Sequence, residues 1–193
     1  EYDDLTYHGA VLFEKPGVIG PASTFTSRLS VDQENPDAYR SFSVTGAVGL
    51  KYKLTEKQTM SGGVELEYAK ITDSLVTDQE TLTASVPLEW VYDGRNDELD
   101  PTSGFRLLAH VEPAYEFEQG NPFVIVKGEA SAYRALDEAK RFVVAGRVAG
   151  GSIVGADLTD IPATRRFYSG GGGSVRGYAY QGIGPKAADG DPI

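Results

Sequence analysis

Apolar and polar residues alternate along long stretches of this chain, and this two-residue period constrains its fold more than any other feature. The clearest stretch is 41–54, where one set of alternate residues is apolar or glycine and the other is polar, small or basic. Because successive side chains of a β-strand point to opposite faces of a sheet, this pattern predicts a strand with one apolar face. The apolar set is Phe42, Val44, Gly46, Val48, Leu50, Tyr52 and Leu54.

The same alternation recurs along the chain and predicts an all-β protein of about eight antiparallel strands. Tight polar links such as 55–58 alternate with longer links such as 72–80, a pattern typical of outer-membrane barrels. Pro87 is unusual inside a paired strand because proline cannot donate a ladder hydrogen bond. The predicted strands are 5–13, 24–33, 41–54, 58–71, 80–93, 103–118, 122–136 and 142–157, followed by a loop at 158–193.

Composition excludes several classes of protein. Lys and Arg number 18 against 28 Asp and Glu, so the formal charge is −10, which is the wrong sign for binding nucleic acid. The chain contains no cysteine, which excludes a disulfide scaffold and Cys-ligated zinc. No run of about 20 apolar residues is present, so no transmembrane helix is predicted. The chain opens at Glu1 without a signal peptide, so we expect a mature product or an excised piece.

The sequence offers little for catalysis. His8 and His110 are the only histidines, and no metal-binding motif contains them. Glu65 and Glu67 lie two residues apart on one strand face and could form a carboxylate pair, but a polar lumen explains them more simply. We therefore expect no catalytic residue, no metal and no cofactor, and a protein that is not an enzyme.

A glycine-rich segment near the end of the chain carries one arginine, Arg176, between Val175 and Gly177. Glycines permit positive φ and close backbone approach, so this segment can double back through a narrow space. A guanidinium that enters such a space needs carboxylate or carbonyl acceptors. A flexible engineered linker is an alternative for 170–174, whereas nucleotide-binding and calcium-binding glycine motifs do not match. The segment reads RRFYSGGGGSVRGYAYQGIGP over 165–185.

This segment, placed after a series of alternating strands, resembles the inward-folded loop of the Omp85 superfamily of outer-membrane barrels. The resemblance implies that the arginine contacts acidic residues on the inner wall of the barrel. The implied functional loop is Val175, Arg176, Gly177 and Tyr178, supported by Gly170, Gly171, Arg166 and Phe167. The candidate acidic partners on the polar strand faces are Glu65, Glu67, Glu89, Glu112 and Glu129.

The resemblance implies a fragment of an antiparallel transmembrane β-barrel, the fourth to eleventh strands of sixteen, in the outer membrane of a Gram-negative bacterium. It implies a factor that inserts β-barrel or autotransporter proteins without ATP. The expected partners are outer-membrane lipid, client proteins and periplasmic or periplasm-spanning assembly proteins. Within the superfamily, the residues after Arg176 are most similar to the outer-membrane subunit of the translocation and assembly module, and next to the barrel-assembly subunit.

Two alternatives remain open at this point. A two-partner-type secretion pore of the same superfamily would share the barrel and the loop arginine. A soluble secreted β-sandwich that binds carbohydrate or protein would share the alternation but pack its apolar faces together in a dry interior. The direction in which the apolar face points distinguishes a sandwich from a barrel.

Overall fold

The computed structural model describes residues 6–35, 39–73, 78–171, 174–175, 177–178, 183–184 and 186. Within these residues the fold is a sheet of nine strands with two short 3-10 turns, Leu158–Asp160 and Ala163–Arg165. No helix in this part of the chain has the length and apolar character needed to cross a bilayer. The strands are β1 (Tyr7–Pro16), β2 (Ser23–Glu34), β3 (Tyr39–Thr55), β4 (Gln58–Asp73), β5 (Gln79–Ser85), β6 (Leu88–Asp93), β7 (Ser103–Glu116), β8 (Asn121–Ala135) and β9 (Val143–Val154).

Every strand pairs antiparallel with its neighbours in the order β1-β2-β3-β4-β5-β7-β8-β9, and β6 also pairs with β4 and β7. Strands β5 and β6 are two parts of one strand. Both pair with β4 on one side and β7 on the other, and each pairing keeps the same register across the gap at 86–87. Pro87 causes the division, since it has no amide hydrogen for the ladder, while its carbonyl still accepts from Gly63 at 3.1 Å. The segment predicted as one strand at 80–93 is therefore two.

From β2 to β8 the sheet buries much of its polar face and exposes its apolar face, whereas the edge strands β1 and β9 are exposed on both faces. We call the buried polar face the inner face and the exposed apolar face the outer face. This burial is opposite to that expected of a soluble β-sandwich, which packs its apolar faces together. Buried inner residues include Ser41, Ser43, Thr45, Thr81, Thr83 and Glu112, and exposed outer residues include Val48, Leu50, Val64, Leu66, Phe105 and Val111.

The segment after β9 folds back against the inner face and covers it. Ala163 is fully buried in a cluster with Tyr39, Ala69 and Ile71 from β3 and β4. A second apolar cluster lies on the same inner face at β7 and β8, where Ile153 and Ala156 pack against Ala114, Phe123 and Ile125. These contacts bring residues 161–168 over the charged middle of the inner face.

Candidate functional site

Arg165 lies at the centre of the site and binds three glutamates of the inner face. Its guanidinium nitrogens lie 2.9 Å from Glu65, 3.3 Å from Glu67 and 2.7 Å from Glu112. Glu65 and Glu67 come from the middle of β4, and Glu112 comes from β7. The arginine of the loop therefore joins strands that β5 and β6 separate in the sheet.

Neighbouring side chains complete the site. Glu65 also accepts from Arg28 of β2 at 2.8 Å, and the ring of His110 lies 3.0 Å from Glu112. The hydroxyl of Thr164, next to Arg165 in the chain, lies 3.4 Å from Glu67. The three carboxylates are thus each held by a second group besides Arg165, which limits the cost of collecting like charges in a buried place.

The environment keeps Arg165 charged. Its side chain is only 11% exposed, and burial by itself would lower the pKa of the guanidinium. The carboxylates of Glu67, Glu112 and Glu65 outweigh burial and raise that pKa above its ordinary value. The planar guanidinium presents five donors in a fixed fork, so it can serve three carboxylates at once, which an ammonium group cannot do in the same geometry.

Arg166 holds the loop at a second point, near the end of β4. It donates to the backbone carbonyl of Ile161 at 3.0 Å and to Asp73 at 2.8 Å, with both partners of this ion pair almost fully buried. The ring of Tyr168 packs on Tyr39 with 5.7 Å between centroids. Burial raises the pKa of the Tyr168 hydroxyl, so this group stays neutral next to the ion pair.

Phe167 forms a third contact between the loop and the sheet, with strands β8 and β9. Its ring lies over Gly151 of β9, where an added Cβ would come within 2.6 Å of the ring. The ammonium group of Lys127 on β8 lies 5.4 Å from the centroid of the same ring. Residues 165–167 therefore contact β4, β7, β8 and β9 in three successive positions.

The glycine-rich segment is described in part. Gly170, Gly171 and Gly177 all adopt positive φ, a conformation that favours glycine. Gly171 donates to the carbonyl of Tyr178 at 3.2 Å and pairs with Val175, so the segment turns back on itself. Tyr178 is exposed. Arg176, the arginine singled out from the sequence, lies outside the described residues.

The five candidate acidic partners separate into two groups. Glu65, Glu67 and Glu112 meet at Arg165. Glu129 instead pairs with Arg147 at 2.8 Å and lies 3.7 Å from Arg106, away from the loop. Glu89 lies opposite His110 in the β6–β7 pairing, and in the described part of the chain it forms no ion pair with the loop.

Sequence reasoning missed Arg165, Asp73 and Gly151 as members of the site. Two adjacent arginines directly before an aromatic pair, Phe167-Tyr168, were the available signal for Arg165. Two charged side chains at the start of a loop that must cover a polar face are expected to find acidic partners. Gly151 offered no signal, because only the position of the Phe167 ring makes it necessary.

The chemistry of this site is ionic and structural. Among residues 6–35, 39–73, 78–171 and the short described pieces that follow, no group of histidine and acidic side chains is arranged to hold a metal ion. The convergent carboxylates that could attract a cation are occupied by the guanidinium of Arg165. The arrangement can fix the loop to the wall of the sheet.

Comparison with known proteins identifies the family. The profile of the Omp85 superfamily domain matches residues 1–193. The fold is similar to the crystal structure of BamA from Haemophilus ducreyi lacking POTRA domains 1–3, with a TM-score of 0.79 and 16% sequence identity. The match covers 94% of this chain and 39% of that BamA chain, so the chain spans well under half the length of this solved protein. The chain belongs to the Omp85 superfamily, a family of outer-membrane β-barrel proteins of assembly and translocation.

Proposed function

We propose that this chain is part of an outer-membrane barrel that inserts β-barrel or autotransporter proteins into the membrane. In this proposal the segment 161–168 braces the inner wall, and the work is done by binding and deformation without a covalent step. Membership of the Omp85 superfamily and the exposed apolar outer face support it. The likeness to the translocation and assembly subunit rests on the residues after Arg176 and stays a prediction.

The observation that carries the proposal is the anchor formed by Arg165 with Glu65, Glu67 and Glu112. A single side chain contacts the middle of β4 and the second half of β7, so it restrains how far these strands can move apart. A barrel that admits client strands must open at one place while the rest of its wall keeps its shape. We propose that the contacts of Arg165 with the three glutamates keep this part of the wall in shape.

Insertion of a client strand needs no ATP in this scheme, because an unpaired strand edge offers backbone donors and acceptors to an incoming strand. The free energy comes from hydrogen bonds and from the transfer of apolar side chains into lipid. The partners are outer-membrane lipid, client proteins and assembly proteins on the periplasmic side. Val175, Arg176, Gly177 and Tyr178 remain the predicted functional loop of this barrel.

The test replaces Arg165 by alanine in the full-length protein and compares it with Arg147→Ala. Arg147 is the control because it is also an inner-face arginine paired with a glutamate, and that glutamate, Glu129, is not one of the three that bind Arg165. Cells depleted of the wild-type protein are complemented with each variant, and the amount of client barrel in the outer membrane is measured. A gel-mobility assay without boiling checks that each variant still forms a folded barrel.

We expect Arg165→Ala to fold but to lose most client assembly, and Arg147→Ala to retain it. Full complementation by a folded Arg165→Ala would refute the bracing role. The secretion-pore alternative predicts a different result, namely a stable open conductance in planar bilayers and loss of one exported protein with client barrels unaffected.

A further inference from the structure

An apolar groove crosses the outer face of β7, β8 and β9. Its volume is about 460 Å³. All the residues that line it are described, and none belongs to the loop or to the Arg165 anchor. Ser131 and Arg147 also line it, and its apolar lining is formed by Phe105, Leu107, Ala130, Ala132, Gly146 and Val148.

The register explains why the groove exists. Phe105 pairs with Ala132, which pairs with Gly146, and in the next row Leu107 pairs with Ala130, which pairs with Val148. Ala130 thus lies between the larger side chains of Leu107 and Val148, and Ala132 and Gly146 together leave open space beside Phe105. Since adjacent strands are about 4.8 Å apart, this arrangement leaves a trough that is wide enough for one hydrocarbon chain.

Arg134 lies at the end of the same row of side chains. It follows Ala130 and Ala132 at the two-residue period, so it shares their outer face. Its side chain is exposed, and it forms no ion pair within the part of the chain that the structure describes. In the adjoining hairpin the two acidic residues, Asp137 and Glu138, are balanced by the two basic residues, Lys140 and Arg141.

We propose that this groove binds an anionic phospholipid, with one acyl chain along Ala130, Ala132 and Gly146 and the phosphate on Arg134. The inference rests on the membrane location in the proposed function and is independent of its assembly role. Charge complementarity selects the headgroup, because a guanidinium binds a phosphate through paired hydrogen bonds. Arg134 lies beside the β8–β9 hairpin, at the opposite end of the sheet from the long segment that follows β9. Long connections of outer-membrane barrels are extracellular, so the ligand is a phospholipid of the periplasmic leaflet.

Two pairs of variants in the full-length protein test the site. Gly146→Leu fills the groove, and an added Cβ at Gly146 meets nothing within 4 Å, so the strand can accept the side chain. Gly150→Leu is its control, because Gly150 is on the same face of β9, is equally open and does not line the groove. Arg134→Gln removes the charge at the groove, and Lys57→Gln removes an exposed charge at the β3–β4 turn.

The measurement is native mass spectrometry of the purified protein in detergent, titrated with phosphatidylglycerol or with phosphatidylcholine of the same acyl chains. We expect the wild-type protein to retain phosphatidylglycerol preferentially. Arg134→Gln should reduce that preference by roughly fivefold, and Gly146→Leu should reduce retention of both lipids by roughly tenfold. Gly150→Leu and Lys57→Gln should behave like the wild type.

Equal retention of both lipids by the wild type would overturn the proposal, as would Arg134→Gln and Gly146→Leu titrating like the wild type. Preferential retention of lipopolysaccharide over phosphatidylglycerol would assign the groove to the other leaflet and would also refute it. Complementation with Gly146→Leu separates this inference from the assembly role, because a variant that loses the lipid and still assembles clients leaves the proposed function intact.

Discussion

At the scale of single residues, Arg165 shows how a charge can be kept in the interior of a sheet. Removing an ion from water is costly, and the attraction of one carboxylate offsets that cost only when the geometry is good. Here three carboxylates at 2.7 to 3.3 Å share one guanidinium. Arg28 on Glu65 and His110 near Glu112 provide further partners for two of these carboxylates.

The first prediction concerns Arg165→Lys. The ammonium group keeps the charge, but its compact shape reaches one or two of the three glutamates, so at least one buried carboxylate loses a partner. We expect a loss of about 1 to 3 kcal/mol in the free energy of unfolding and client assembly between that of the wild type and Arg165→Ala. Urea unfolding of the reconstituted protein and the complementation assay measure the two effects. A lysine variant as stable and active as the wild type would show that the three-way contact is unimportant.

At the scale of structural elements, the segment 161–168 works as one unit with three contacts. Arg165 and Arg166 fix it to β4 and β7, and Phe167 contacts β8 and β9 through Lys127 and Gly151. The contact with β9 is the one that depends on shape, because the ring occupies the space where any other residue at 151 would place its side chain. The segment therefore needs a glycine at position 151 of β9.

The second prediction compares Gly151→Ala with Gly150→Ala. A methyl group at 151 would lie 2.6 Å from the Phe167 ring and 3.0 Å from the carbonyl of Val126. The ring would therefore have to move away from β9 and from the ammonium group of Lys127. At Gly150, nothing lies within 4 Å of an added Cβ. We expect chymotrypsin to cleave after Phe167 several times faster in folded Gly151→Ala, with Gly150→Ala cleaved like the wild type. Equal cleavage of the two variants would mean that the position of the Phe167 ring does not depend on a glycine at 151.

At the scale of the whole molecule, the distribution of polarity defines what surrounds the sheet. A soluble protein buries apolar side chains, whereas here the outer face exposes them and the inner face buries serines, threonines and charged residues. This distribution is stable only if the outer face meets hydrocarbon and the inner face meets water or the folded-back loop.

The third prediction places arginine at two exposed apolar positions. Val64, in the middle of β4, is 56% exposed, and Leu99, in the β6–β7 connection, is 97% exposed. In water both substitutions would be almost neutral, but in a bilayer we expect Val64→Arg to cost about 2 to 4 kcal/mol. Leu99→Arg should stay within about 0.5 kcal/mol of the wild type because the connection lies outside the hydrocarbon. Urea unfolding in lipid vesicles measures both, and a neutral Val64→Arg would contradict the membrane assignment of the outer face.

The amino-acid sequence by itself determined the strands and much of their order. Alternation located the segments that become β3 and β4 to within two residues at each end, because a two-residue period is a local property of the backbone. Pro87 marked the place where the fifth predicted strand divides into β5 and β6, since the missing amide is a property of one residue. The candidate acidic residues Glu65, Glu67 and Glu112 followed from the same alternation.

Only the tertiary structure decided which face is inside and which residues meet there. Alternation is symmetrical with respect to the two faces, so the same pattern fits a dry sandwich and a barrel with a polar interior, and only burial distinguishes them. Arg165 and Glu65 are 100 residues apart in the chain, and no local pattern connects such distant positions. Their contact exists because the sheet brings β4 next to the path of the loop, and because charged groups buried there must pair with each other.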